Sequence, residues 1–191
     1  MKALNFLLLT FLTFMVIAPM SGQSYRLTKS DFSISGTSNL HDWESAVTKV
    51  SWRGTFSFSD GVLSELSDVK VNIPVDGITS TKGRIMDGKT HTALKAEEHP
   101  NIVFTLTSAN ITNNGTKSNV AAKGKLTIAG VTKTINLQVL LTPLSDGQYE
   151  LTGTYPMKMT DYGIDPPTAL LGSLTTGDDV TLKFNLTLSP N

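Results

Sequence analysis

The chain has 191 residues, with 16 Lys and Arg balancing 16 Asp and Glu, and no cysteine. That length suits one domain with a substantial core, and 17% charged against 39% apolar residues excludes a solvated tail or a membrane-spanning helical bundle. A net charge of zero leaves no electrostatic footprint for nucleic acid, and the lack of cysteine excludes disulfides, thiolate metal sites, a cysteine nucleophile and a lipidated cysteine anchor.

The first two dozen residues stand apart. Leu4 to Ile17 is almost purely apolar, follows Lys2, and runs into the small-residue segment Ala18-Pro19-Met20-Ser21-Gly22. This is the layout of a cleavable secretory leader. A run of about 14 residues is also short of the ~20 that a bilayer-spanning helix needs. The expectation is a leader over residues 1–23, one mature domain over 24–191, and a periplasmic or secreted protein, where the absence of free thiols fits an oxidising compartment.

The mature part then alternates with a period of two, the mark of half-buried strands. An opening strand is expected around Phe32 to Gly36. From Ser45 to Phe58 the apolar row is Val50, Trp52, Phe56 and Phe58, with Gly54 in line and Ser51, Arg53, Thr55 and Ser57 on the other face. The pattern returns at Val69 to Val75, Ile102 to Leu106, Val120 to Ile128, Ile135 to Leu141, Tyr149 to Tyr155, and Val180 to Leu188. Turn residues that tolerate positive φ join these runs: Ser59-Asp60-Gly61, Asn113-Asn114-Gly115, Ala129-Gly130 and Asp146-Gly147. About eight long strands in sequential antiparallel order suit an up-and-down barrel better than a Greek-key sandwich. Two stretches interrupt it. Asp76 to Pro100 predicts one or two helical turns across a barrel end, and Thr160 to Gly177, with Pro166-Pro167, predicts a second end cover.

Several side chains invite chemistry. His41-Asp42-Trp43 could place a general base beside a carboxylate, but adjacent strand residues point to opposite faces. His41, His91 and His99 show no i, i+4 zinc spacing, and no metal or other cofactor is expected. Lys82, Arg84, Lys89 and Lys95 gather positive charge in the first interruption, where a solvated face or a contact with a lipid phosphate are both open. No G-x-S-x-G, P-loop or H-E-x-x-H is present, so no catalytic residue is assigned. The apolar rows themselves either fill the barrel as solid core or line a lumen for one slender ligand.

The order of motifs resembles the YceI-like family of exported, lipocalin-like bacterial proteins. It is carried by Gly124-Lys125-Leu126-Thr127-Ile128-Ala129-Gly130-Val131-Thr132-Lys133, by His99-Pro100-Asn101-Ile102-Val103-Phe104, by Asp161-Tyr162-Gly163-Ile164 and by Gly177-Asp178-Asp179-Val180. The resemblance implies an all-β, eight-stranded antiparallel barrel with a short helical insertion over one end. It implies a non-enzymatic carrier or scavenger of an isoprenoid or other long-chain lipid, with transient membrane contact and no nucleic-acid partner. The alternative is a lipid-modifying enzyme using His41 and Asp42 at the mouth. The lumen is then expected to involve Trp43, Trp52, Phe56, Phe58, Met86, Leu94, Phe104, Leu126, Leu137, Met157, Met159, Tyr162 and Phe184, with His41, Arg84 and Lys89 as head-group candidates. Met159 stands where the family often has Arg, and Leu94 to Glu98 replaces an aromatic pair, which implies a shorter or differently capped pocket.

Overall fold

The computed structural model describes residues 22–169 and 172–191; the expected leader lies outside them except for its last two positions. In chain order the elements are β1 (Gln23–Ser38), β2 (Trp43–Val47), β3 (Ser51–Ser59), β4 (Val62–Pro74), β5 (Ile78–Ser80), α1 (Arg84–Ala93), β6 (Asn101–Asn114), β7 (Lys117–Ile128), β8 (Val131–Pro143), β9 (Tyr149–Lys158), β10 (Thr168–Ala169) and β11 (Leu174–Pro190). The pairings are antiparallel, and β11 returns to β1 from Tyr25↔Pro190 to Ser38↔Thr176, which closes the sheet. β2 and β3 are two halves of one wall, as are β4 and β5. Eight walls therefore surround the interior, and β10 is a short flap on β11. The expected barrel is the observed one.

The details depart from the period-two reading where the backbone bends. The wall expected as one strand from Ser45 to Phe58 breaks at Thr48–Val50. There the Thr48 amide and hydroxyl both donate to the Gly77 carbonyl at 2.8 Å, and the neighbouring wall breaks at the same level in the 3-10 turn Val75–Gly77. Ser57, expected to face solvent, is buried, because the register with β4 slips between Ser57 and Phe58. The first interruption condenses into a single ten-residue helix rather than separate turns. In the second, a 3-10 turn at Thr160–Tyr162 is followed by β10, which extends the hairpin with β11.

Inward rows build two packed clusters, one at each end of the barrel. At the α1 end lie Phe32, Ile73, Val75, Ile78, Ile128, Met159, Tyr162, Ile164 and Val180. At the other end lie Tyr25, Phe56, Leu63, Leu66, Leu141, Leu151 and Leu188. Glycines in the walls make room for large rings: Trp52 lies over Gly54, Phe104 over Gly124 and Phe184 over Gly153. A ring laid over a wall glycine fills the interior without pushing the strands apart.

Candidate functional site

Between the two clusters the inward rows do not meet, and an apolar cavity of about 100 Å³ remains at the waist. All eight walls contribute to its twenty lining residues, of which only Trp52 and Tyr155 carry a polar side-chain atom and none carries a charge. The cause is the strand period itself: charged residues sit on the alternate, outward positions.

Of the side chains expected in the lumen, Trp52, Phe104, Leu126, Leu137 and Phe184 line this cavity. Phe56 and Phe58 lie below it, in an aromatic plug with Tyr25 and Tyr149. Tyr25 and Phe56 stack with ring centroids 4.3 Å apart, and Phe58 and Tyr149 with centroids 5.9 Å apart. Met159 and Tyr162 are buried above it, and Trp43, Leu94 and Met157 pack half-buried against the same upper cluster. Trp43 covers Gly36 and donates its indole N–H to the Thr37 carbonyl at 3.0 Å. Met86 is a half-buried residue of α1. His41, Asp42 and Arg84 are exposed, and Lys89 Nζ donates to the Thr168 carbonyl at 3.2 Å. His91 Nε2 lies 3.0 Å from the Ile78 carbonyl, while the His99 ring lies over Gly130. No group of three or more His, Asp and Glu converges on a metal position among the described residues.

The four motifs singled out in the sequence meet at the α1 end. Ala129 (φ 48) and Gly130 (φ 83) form the tight turn from β7 to β8, and the His99 ring occupies the space that a Cβ at Gly130 would need. The following Lys133 pairs with Asp161 at 2.9 Å and holds its ammonium 5.9 Å from the centroid of the Tyr162 ring. Asp178 accepts from the Thr160 amide at 2.8 Å and from the Thr160 hydroxyl at 2.7 Å; these bonds, with Lys158 nearby, hold its carboxyl below the ordinary 3.8. Tyr162 is 1% exposed and its hydroxyl finds no hydrogen-bond partner. Burial, reinforced by the nearby Tyr155, pushes the Tyr162 phenol well above its ordinary value. The motifs thus build a rim that carries the upper cluster.

α1 lies across this end with no buried residue, and Ile85 on it is 80% exposed. It is held by Asp87 Oδ1, which accepts from the Ser80 amide at 2.6 Å, and by Ala93 and Leu94 at its C-terminal end, which pack half-buried against the upper cluster. What the sequence did not announce is a slot in the side wall, between β4 and β6, of about 800 Å³. The unpaired stretch follows from bulges, which leave no simple pattern in the sequence.

The fold recurs in solved structures. A polyisoprenoid binding domain from Saccharophagus degradans superposes with a TM-score of 0.70 at 16% identity, covering 88% of this chain and 99% of that one. BcnA of Burkholderia cenocepacia does so with 0.64 at 21%, covering 83% and 95%. The YceI protein of Campylobacter jejuni gives 0.56 at 17%, covering 100% and 99%. No curated protein matches the chain. The YceI-like domain matches residues 25–188, from the start of β1 almost to the end of β11, and the chain therefore belongs to the YceI-like domain family.

Proposed function

We propose that this protein is a non-enzymatic binder that holds a long apolar, isoprenoid-like ligand in the barrel, as an exported carrier or scavenger. The observation that supports this is the cavity: a space at the waist lined by apolar side chains from all eight walls. A space of that kind stays dry and accepts apolar guests. The description of the S. degradans domain as a polyisoprenoid binder agrees with a slender, branched chain as guest.

Size sets the mechanism. About 100 Å³ is less than the ~150 Å³ that accommodates benzene in an engineered apolar cavity, so a chain of several isoprene units enters only by displacing side chains. Val71, Leu106, Leu137 and Phe184 are half-buried and touch both clusters, so they are the groups that turn aside. Burying one five-carbon unit yields roughly 4 kcal/mol at ~0.8 per carbon, which over a few units outweighs the ordering and association costs.

Native mass spectrometry of the purified protein tests the reading, together with titration of lipid-stripped protein with geranylgeraniol. The titration follows Trp52 emission in a Trp43→Phe background. A co-purifying hydrophobic mass and a saturable Trp52 response are expected. Protein that carries no such mass and gives no saturable response has a solid core, and the reading fails.

A further inference from the structure

The strand registers assemble a second feature on the outside of the barrel. Arg26 on β1 lies opposite Arg53 on β3, Arg53 opposite Lys70 on β4, Lys70 opposite Thr105 on β6, and Thr105 opposite Lys125 on β7. Directly paired residues share a face of the sheet, and all five are exposed. Four cations therefore form one row across five walls, about 19 Å long at ~4.8 Å per strand. Like charges directly opposite one another destabilise a sheet. None of the four forms an ion pair among the described residues; those pairs lie elsewhere, at Lys49–Asp76, Lys133–Asp161 and Lys158 with Asp178 and Asp179.

The centre of the row, Arg53 and Lys70, borders the slot. β4 and β6 pair only from Lys70↔Thr105 to Pro74↔Asn101. Where they part, both strands bulge. Asp68 (φ 54) and Val69 together oppose Gly54, and Thr107 is left over between Leu106↔Gly124 and Ser108↔Lys123. A bulge bends its strand and increases its twist, so the walls splay. They are tied again lower down, where Asn113 Nδ2 donates to the Leu63 carbonyl at 2.9 Å. Glu65 and Asp68 are the acidic side chains on the slot. Leu66, Val69 and Leu106 line both the slot and the lumenal cavity, so this is the thinnest part of the wall.

We infer that this face docks the barrel onto an anionic lipid bilayer. A pocket for a single phosphate would converge its donors on one point. Here the cations are strung out at strand spacing over a curved wall, which matches a plane of many head groups. Arg53 and Lys70 make the central contact, with Arg26 and Lys125 at the shoulders. A barrel docked in this way sets its thinnest wall against the membrane. The docking chemistry stands by itself, and rests on the lumenal reading only for its purpose.

The test pellets the protein with sucrose-loaded vesicles, either phosphatidylcholine alone or phosphatidylcholine mixed with phosphatidylglycerol. Each contact cation contributes about fivefold to anionic membrane affinity, so an Arg53→Gln/Lys70→Gln variant is expected to bind the mixed vesicles about 25-fold more weakly, with its melting temperature held or raised because the opposed charges are gone. Because the chain has no cysteine, a Thr107→Cys variant carries an environment-sensitive fluorophore at one site, expected to shift to the blue on anionic vesicles. The same label at Ile85→Cys on α1 is expected to stay unchanged. Equal binding to neutral vesicles, wild-type binding by the double variant, or a shift at Ile85 in place of Thr107 overturns the assignment. So does equal competition by a duplex oligonucleotide, which marks a generic polyanion surface. Protein that docks through Arg53 and Lys70 yet takes up no geranylgeraniol sinks the carrier reading and leaves the docking face in place.

Discussion

Three inward-facing residues show how differently the interior treats its members. Ala122 lines the waist cavity, and Ala122→Leu adds three carbons to about 100 Å³ of empty space. Empty volume costs ~24 cal/mol per Å³, or about 2.4 kcal/mol here, against a repacking strain of ~1–3 kcal/mol. The variant is expected to melt at or above wild type without lipid, and to bind geranylgeraniol at least tenfold more weakly by Trp52 titration. Gly54 sits in the same kind of row, but a methyl there would meet the Trp52 ring at 2.6 Å and Val69 at 2.8 Å. Gly54→Ala should therefore cost roughly 1–3 kcal/mol in chemical denaturation; a neutral result would mean that the Trp52 ring swings freely. Tyr162 is the third case. Its buried hydroxyl makes no well-formed hydrogen bond and has only the Tyr155 hydroxyl close by; an unsatisfied buried group costs about 1–3 kcal/mol, so Tyr162→Phe should hold or raise the melting temperature. The alternation of apolar residues made Ala122 and Gly54 legible as inward-facing, whereas Tyr162, in the irregular stretch after β9, was indicated only by the family resemblance. Alternation could not tell the open position from the filled one, because that depends on which ring comes across from another strand.

At the scale of elements, what could be read was whatever repeats along the chain. The long rows of β4, β7, β8 and β11 have a buried face and a solvated face, so they appear as a period of two. α1 has no fully buried residue, and a helix without a buried stripe has no clear apolar period to find; hence the segment was legible as an interruption with one or two helical turns, without the helix's bounds. The same lack of burial makes α1 the least anchored element of the barrel end. Its amides are expected to exchange with solvent faster than those of β7 and β8, in a hydrogen-exchange experiment resolved by peptide. Protection of α1 equal to that of the central strands would show that it opens only with the whole molecule. The turn at Thr160–Tyr162 has its own dependence on pH. The Asp178 carboxyl is held below its ordinary 3.8 by the Thr160 bonds, so its contribution is present above that value and is lost as pH falls through the depressed one. Thr160 and Tyr162 resonances should therefore move on acidification below about pH 4 while strand resonances stay in place.

For the whole molecule, zero net charge conceals an uneven surface. Arg26, Arg53, Lys70 and Lys125 are scattered over about a hundred residues of sequence, and only the registers of β1, β3, β4, β6 and β7 bring them into a row. Barrel closure, by contrast, was legible from strand number and order, because eight long one-sided strands bury their apolar faces by curling round. What the registers leave at the centre is a waist too narrow for a long guest, so filling it is coupled to the stability of the entire wall. A ligand that binds only the folded barrel adds about 2.7 kcal/mol at a free concentration one hundredfold above its dissociation constant. For a domain of this size that corresponds to a rise of about 5–11 °C in melting temperature. Stripping the protein of lipid under denaturing conditions and refolding it is expected to lower its melting temperature by that amount, and adding geranylgeraniol to restore it. The Ala122→Leu variant should show little of either change, because its added side chain already occupies the space. Identical melting curves for stripped and reloaded wild-type protein would mean that the two clusters meet as one solid core and that the barrel carries nothing inside.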